Sequence, residues 1–313
     1  MRILLDTDPG IDDALAIFLA LASPEITLEA ITTVSGNVFV DHTTRNALSL
    51  LELAGRTEIP VARGCDRPLI SLPVEAAYVH GDNGLGGAIL PEPQLRPLEK
   101  HAVDVIIETV LAAPGEITIV AVGPLTNLAL ALRREPRLAS AVREVFIMGG
   151  ALRVPGNVTP CAEFNIFVDA QAAQIVMQAG WPIRLVTLDT TNRTLLKRSL
   201  IGELARGGKP VPVLMKHLFD YYCDVFGLEQ KLDAIHMHDP LCMATVIRPD
   251  LVEWEQAYVE VELAGKLSFG ETVGFFHVPG QPFPHTPNVL ASVDVHVEDF
   301  VSFYMERIQQ TFA

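Results

Sequence analysis

Four aspartates, Asp6, Asp8, Asp12 and Asp13, fall within eight residues of the run LLDTDPGIDDALAIFLA. An apolar stretch, Ile3 to Leu5, precedes them, and Pro9 and Gly10 separate it from an apolar-rich stretch that reads as a helix. The pattern puts carboxylates at the carboxyl end of a strand, where open α/β sheets bind ligands. Grouping carboxylates there is unfavourable unless a hard cation neutralises them, and oxygen donors of this kind suit Ca²⁺ or Mg²⁺. Helix capping and the helix dipole account for two acids before and within a first turn. They leave Asp6 and Asp8, two apart and directed to one side unless bridged or turned away. Aspartyl-phosphate phosphatases also carry Asp-x-Asp after a first strand, but the Pro-Gly-x-Asp-Asp continuation has no place in that chemistry. The run reads as half of a metal site.

Further polar clusters follow apolar strands. They are Ser35-Gly36-Asn37, the turn Gly123 to Asn127 after Val122, and Met148-Gly149-Gly150 followed by Asn157 and Glu163-Phe164-Asn165. Each alone is explained by turn formation; their recurrence at successive strand ends points to one site. His80 lies in the Gly-rich run His80-Gly81-Asp82-Asn83-Gly84 and reads as a solvated or flap histidine. His238-Asp239-Pro240 offers a distant carboxylate to the N-terminal cluster, whereas His236 shares none of that context.

The elements that must position these residues alternate. Strands are expected at 2–7, 26–34, 116–122, 144–148 and 183–188, and helices at 12–22, 40–54, 101–113, from Leu125, and at 169–179. The second half is less regular, with helices at 211–226, 241–247 and 297–311 and strands at 256–263 and 288–296. The alternation implies α/β architecture: an open, mostly parallel Rossmann-like sheet flanked by helices. No linker or repeat divides residues 1–313, so a single domain is expected.

A formal net charge of −15 argues against nucleic acid or an anionic membrane as partner. No apolar run is long enough to read as a signal peptide or membrane span. Cys65, Cys161, Cys223 and Cys242 are widely spaced, which suits reduced thiols in a cytoplasmic protein.

These residues resemble the nucleoside hydrolases, the inosine/uridine-preferring enzymes that cleave the N-glycosidic bond of ribonucleosides. The likeness is carried by Asp6-Thr7-Asp8-Pro9-Gly10-Ile11-Asp12-Asp13-Ala14, Ile31 to Asn37, Val122 to Asn127, Met148-Gly149-Gly150, Ala162 to Asn165, His238-Asp239-Pro240 and Gly265-Lys266-Leu267, in order along the whole chain. It implies a bound Ca²⁺ held by Asp8, Asp13, Asp239 and the carbonyl of Val122, and a homodimer or homotetramer. The ribose diol and a water would complete the ion's sphere, so 2′-deoxyribose should bind poorly.

Cleavage would pass through an oxocarbenium-like ribose, with Asp8 as general base towards the attacking water. The resemblance gives Asp12 the 2′-hydroxyl, and gives Asn157, Glu163 and Asn165 the 5′- and 3′-hydroxyls. Asn37 and Met148 would lie beside the ribose, and Phe164 would line the substrate site. His238, with His80, would assist the departing base. Tyr222 and Phe226 fall on the segment that resembles the base-selecting wall, where some relatives carry tyrosine or glutamine at the position of Phe226. Two other readings are a hydrolase of a modified nucleoside and a catalytically idle ribose- or nucleoside-binding protein.

Overall fold

In the computed structural model, residues 1–226, 233–278, 280 and 285–313 are described. The chain builds a nine-stranded sheet in the order β10-β9-β11-β6-β5-β4-β1-β2-β3. Its strands are β1 (Arg2–Thr7), β2 (Thr27–Thr33), β3 (Val61–Arg63), β4 (Ile117–Ala121), β5 (Glu144–Met148) and β6 (Ile183–Val186). After a separate two-stranded ribbon, β7 (Leu195–Lys197) and β8 (Ala234–His236), come β9 (Val252–Val261), β10 (Thr272–Phe276) and β11 (Val289–Val295). All neighbours from β11 to β3 pair in parallel, and β9 pairs antiparallel with both β11 and β10.

The central strands read as unbroken apolar runs because helices cover both sheet faces. Ile3, Leu4 and Leu5 of β1, and Ile119, Val120 and Ala121 of β4, are fully buried. The helix Ile11–Leu21 is buried at every position but Asp12, since it packs against the helices Val40–Leu53, His238–Ile247 and Val297–Phe312.

β1 pairs with β2 on one side and β4 on the other. The chain therefore winds outward from β1 in one direction through β2 and β3, then returns to start again at β4. This reversal opens a crevice at the strand ends, the favoured ligand position of a doubly wound sheet. Asp8 follows β1 and Val122 follows β4, so both lie at the reversal point.

Differences from the expected elements are local. β3, β7, β8 and β10 are too short or too irregular in pattern to stand out from sequence. The helix expected at 211–226 ends at Tyr221 and continues as one turn of π-helix, Tyr222–Phe226. The helix expected from 241 starts three residues earlier, at His238, with Pro240 accommodated in the first turn, where its missing N–H costs nothing.

Candidate active site

The acidic cluster is assembled from the first turns of two long helices and one strand end. Asp12 and Asp13 lie in the first turn of Ile11–Leu21 and Asp239 in the first turn of His238–Ile247. One carboxylate oxygen from each of the three lies within 4.8 Å of the others. The backbone N–H of Asp239 donates to Asp12, which ties the two helix starts together.

Asp8 and Asp13 are held by a dense local network. The Asp13 carboxylate accepts from Gly10 N at 3.0 Å, Asp8 N at 3.2 Å, Asn37 Nδ2 at 2.9 Å and the Thr7 hydroxyl. Asn37 N donates to Asp8 Oδ2 at 2.7 Å, and its side-chain amide donates to the Asp8 carbonyl at 3.2 Å. Asp8 Oδ1 is buried with no hydrogen-bond partner among the described residues. Two glycines let the backbone approach so closely: a Cβ on Gly36 would lie 2.1 Å from Asp8 Oδ2, and one on Gly123 would lie 2.5 Å from Asp8 Oδ1.

Among the described residues, no lysine or arginine forms an ion pair with Asp8, Asp12, Asp13 or Asp239. Burial and mutual repulsion push their proton affinities up: Asp12 to about 8, Asp8 and Asp239 well above the ordinary carboxylate range, and Asp13 upward by burial. Buried acids without protein cations, one with an orphaned oxygen and all offering only oxygen donors, fit a hard divalent cation. The Val122 carbonyl, which lines the same cavity, accepts from Asn165 Nδ2 at 2.9 Å and keeps a second lone pair.

Asp6 takes no part in this cluster. It turns away to accept from the Thr32 hydroxyl and, at 2.8 Å, from Asn127 Nδ2. That resolves the repulsion expected between Asp6 and Asp8, and burial raises Asp6 to about 7.

Asp12 and Asp239 face a cavity of about 510 Å³, with Asp8 and Asp13 behind its lining, within the size range of small-molecule sites. Asp12, Asn37, Val122, Met148, Asn157, Glu163, Phe164, Asn165, Tyr222, His80, His238 and Asp239 all line it. Glu163 caps the helix Phe164–Val168 and accepts from the backbone N–H groups of Gly150, Asn165 and Ile166 at 2.9–3.1 Å. Asn157 Oδ1 accepts from Phe164 N at 2.9 Å. Asn165 also donates to the Met148 carbonyl at 3.2 Å. These side chains are thus oriented by backbone groups before any ligand arrives. The side chain of Phe226 lies outside the described part of the structure, although its backbone closes the π-helical turn.

Two readings of the histidines are corrected by the structure. His80 is buried rather than solvated, and its Nδ1 accepts from Ile11 N at 3.0 Å. Its neutral ring therefore carries the proton on Nε2. The following turn is tied down by Asn83, which accepts from Leu85 N and Gly87 N, and by His217 Nε2 at 2.8 Å from the Gly86 carbonyl. His236, expected to stand apart, lines the cavity and stacks on His238, with ring centroids 5.4 Å apart and planes 15° apart. The only signal in the sequence was the His-x-His spacing at the start of a helix.

His238 Nδ1 lies 2.7 Å from the Thr191 hydroxyl. Burial lowers the proton affinity of His80 to about 4 and of His238 to about 3, the latter helped by the neighbouring histidines. Tyr78, Asn192 and Ile235 complete this wall and had no signal of their own in the sequence.

Residues 3–302 match the family model described as inosine-uridine preferring nucleoside hydrolase. The chain is 39% identical over 312 residues to a pyrimidine-specific ribonucleoside hydrolase RihA of Enterobacter sp., covering 99% of this chain and 98% of that one. It is 39% identical over 311 residues to the inosine-uridine preferring nucleoside hydrolase of Crithidia fasciculata, with the same coverage. A solved purine-preferring ribonucleoside hydrolase from Gardnerella vaginalis superposes with a TM-score of 0.93 at 32% identity, covering 99% of each chain. The base preferences named for these three proteins differ, while the likeness to each spans nearly the whole chain.

Proposed function

The chain belongs to the inosine-uridine preferring nucleoside hydrolase family, a family of metal-dependent hydrolases, and from that premise we propose how it cleaves the N-glycosidic bond of ribonucleosides. The observation that carries the reading is the cluster of buried carboxylates at the sheet reversal, with Asp8 Oδ1 left without a hydrogen-bond partner among the described residues.

Asp8, Asp13, Asp239 and the Val122 carbonyl would hold the cation, which we assign as Ca²⁺ because every donor is oxygen and carboxylates can bind it in more than one mode. When bound, the ion neutralises the carboxylates and makes a water in its sphere more acidic. Asp8 takes the proton from the water that attacks C1′. Asn37 fixes Asp8 by two hydrogen bonds, so the base is oriented without a cost at the moment of reaction. Asp12 receives the 2′-hydroxyl. Asn157, Glu163 and Asn165 receive the 3′- and 5′-hydroxyls, and Met148 and Phe164 flank the sugar. Binding energy from these contacts can be used to bring the ribose towards its oxocarbenium-like form.

Leaving-group assistance falls to His238, supported by His80. As the C1′–N bond breaks, negative charge grows on the base nitrogens, and a buried imidazole N–H directed into the cavity stabilises it and delivers the proton. Tyr222 lines the same cavity. Imidazole and phenol faces stack on purines and pyrimidines alike, so we assign both base classes as substrates.

The whole chain, 1–313, would act as one such domain. Its four cysteines are unpaired, which supports action in the cytoplasm, and among the described residues no helix is long and apolar enough to cross a membrane. Exposed apolar side chains on the segments leading to the cavity, Phe39, Ile70, Leu72 and Tyr78, support assembly as a homodimer or homotetramer.

The test is reducing-sugar release from a panel of purine, pyrimidine, modified and 2′-deoxy nucleosides, with calcium supplied. Turnover of ribonucleosides of both base classes, with 2′-deoxy analogues slower by about a hundredfold or more, is expected from the loss of a chelating hydroxyl. Binding without sugar release would refute the catalytic reading, and turnover confined to modified bases would refute the general one.

A further inference from the structure

We propose that His236 is a positioning residue: its ring face holds the His238 imidazole at the leaving-group end of the cavity. The proposal rests on the leaving-group role given to His238 above. His238 is the first residue of its helix. Two contacts restrain its ring. The Thr191 hydroxyl holds Nδ1 at 2.7 Å, and the His236 ring lies nearly parallel to it, with centroids 5.4 Å apart. A single hydrogen bond at one nitrogen leaves the ring free to swing about that point, and a stacked face removes that freedom.

The His236 backbone is itself pinned. It pairs with Leu195 across the β7–β8 ribbon, and Met237 N donates to the Thr194 carbonyl at 2.9 Å. The ribbon follows the Leu188–Thr191 turn, so it sets the distance between the residue that bonds His238 and the residue that stacks on it. His236 also lines the cavity, so a ring at this position limits where a base can lie against His238. Among the described residues, Nδ1 of His236 has no hydrogen-bond partner, and the backbone of Asn192 bonds the ring elsewhere. Its contact with His238 is therefore through the ring face, and another aromatic ring should serve.

The experiment uses the full-length, calcium-loaded enzyme with inosine, uridine and p-nitrophenyl riboside. His236→Ala should lower kcat on both nucleosides about tenfold, a part of the total that a general acid supplies, while KM stays within about twofold. Turnover of p-nitrophenyl riboside, whose leaving group needs no proton, should stay within about twofold of wild type. His236→Phe should restore nucleoside kcat to within about threefold of wild type. A His236→Ala enzyme with unchanged nucleoside turnover would overturn the proposal. So would equal losses in the Phe and Ala variants, which would mean that the nitrogens matter and not the face, or equal losses on the p-nitrophenyl substrate. His238→Ala, run in parallel, separates the two levels. Equal losses on all substrates would remove the leaving-group role itself, whereas a selective loss beside a silent His236→Ala would remove only the positioning role.

Discussion

At the floor of the cavity Asp12 and Asp239 line the space, with Asp13 and Asp8 as charged neighbours behind them, and all four come from a strand end and the first turns of two helices. The other wall takes His80 from the short helix Ala77–His80, His236 from the end of a two-stranded ribbon, His238 from the first residue of the helix that also carries Asp239, and Tyr222 from a π-helical turn. On the floor, charge is concentrated and no protein cation offsets it; on the wall, burial keeps the imidazoles neutral. The carboxylates thus sit at a strand end and helix starts, and the imidazole and phenol groups sit beside them. The relatives that this chain resembles are named for pyrimidine, for inosine and uridine, and for purine preference.

The sharpest way to break this comparison is at the floor. Asp8→Asn keeps the size and the Asn37 contacts in part but cannot accept a proton. We expect kcat to fall by about three orders of magnitude or more on nucleosides and on p-nitrophenyl riboside alike. Single-turnover assays that retain more than a tenth of wild-type activity would remove Asp8 from the role of base.

At the wall the loss should be smaller and should depend on the leaving group. His238→Ala is expected to cost about 10²-fold in kcat on inosine and uridine, the lower end of general-acid contributions, and little on p-nitrophenyl riboside. His80→Ala should show the same selectivity with a smaller loss, because Nδ1 is engaged by Ile11 N and only Nε2 faces outward. Steady-state kinetics on the three substrates would check both. If floor and wall variants lost activity in the same pattern, the division between them would not hold.

The same division explains what could be read from sequence. Asp8, Asp12 and Asp13 lie within one short run, and a strand end, a Pro-Gly turn and a helix start, all local features, mark it as half of a metal site; the separate role of each came only from the resemblance. Asn37, Glu163 and Asn165 stood out because each follows a strand or turn of the regular α/β alternation. The central parallel strands were legible because burial on both faces leaves continuous apolar runs. His236 was not legible, since its contact with His238 depends on the pairing of β7 with β8, two strands of three residues. The burial of His80 was hidden too: it depends on Gly10, where a Cβ would lie 2.6 Å from the His80 ring. Of the two outcomes open for Asp6, bridged or turned away, the structure takes the second, with partners that sequence proximity could not name: Thr32 of β2 and Asn127 of the helix Thr126–Arg134.

The smallest effect expected is on stability, and it has opposite signs at the two ends. The floor carboxylates have proton affinities raised above those of the unfolded chain, where the ordinary value is 3.8: burial and neighbouring carboxylates push Asp8 and Asp239 well above it, burial pushes Asp13 up, and Asp12 reaches about 8. Such groups favour the fold while protonated, and that contribution is lost as pH rises from about 4 through 8. The histidines are depressed instead, from 6.5 to about 4 for His80 and about 3 for His238. Their burial is tolerated above pH 6.5 and disfavours the fold as pH falls below it. Calcium acts only on the first set, because it binds the native carboxylates and not the imidazoles. Subtracting the Tm of chelator-treated protein from that of loaded protein at each pH cancels the histidines and the surface groups. This increment should grow steadily between pH 5 and pH 8, reaching about 5 °C or more at the upper end. Differential scanning fluorimetry across that range would measure it. An increment independent of pH would mean that calcium is not held by these carboxylates, and an increment that grew on acidification would place it elsewhere altogether.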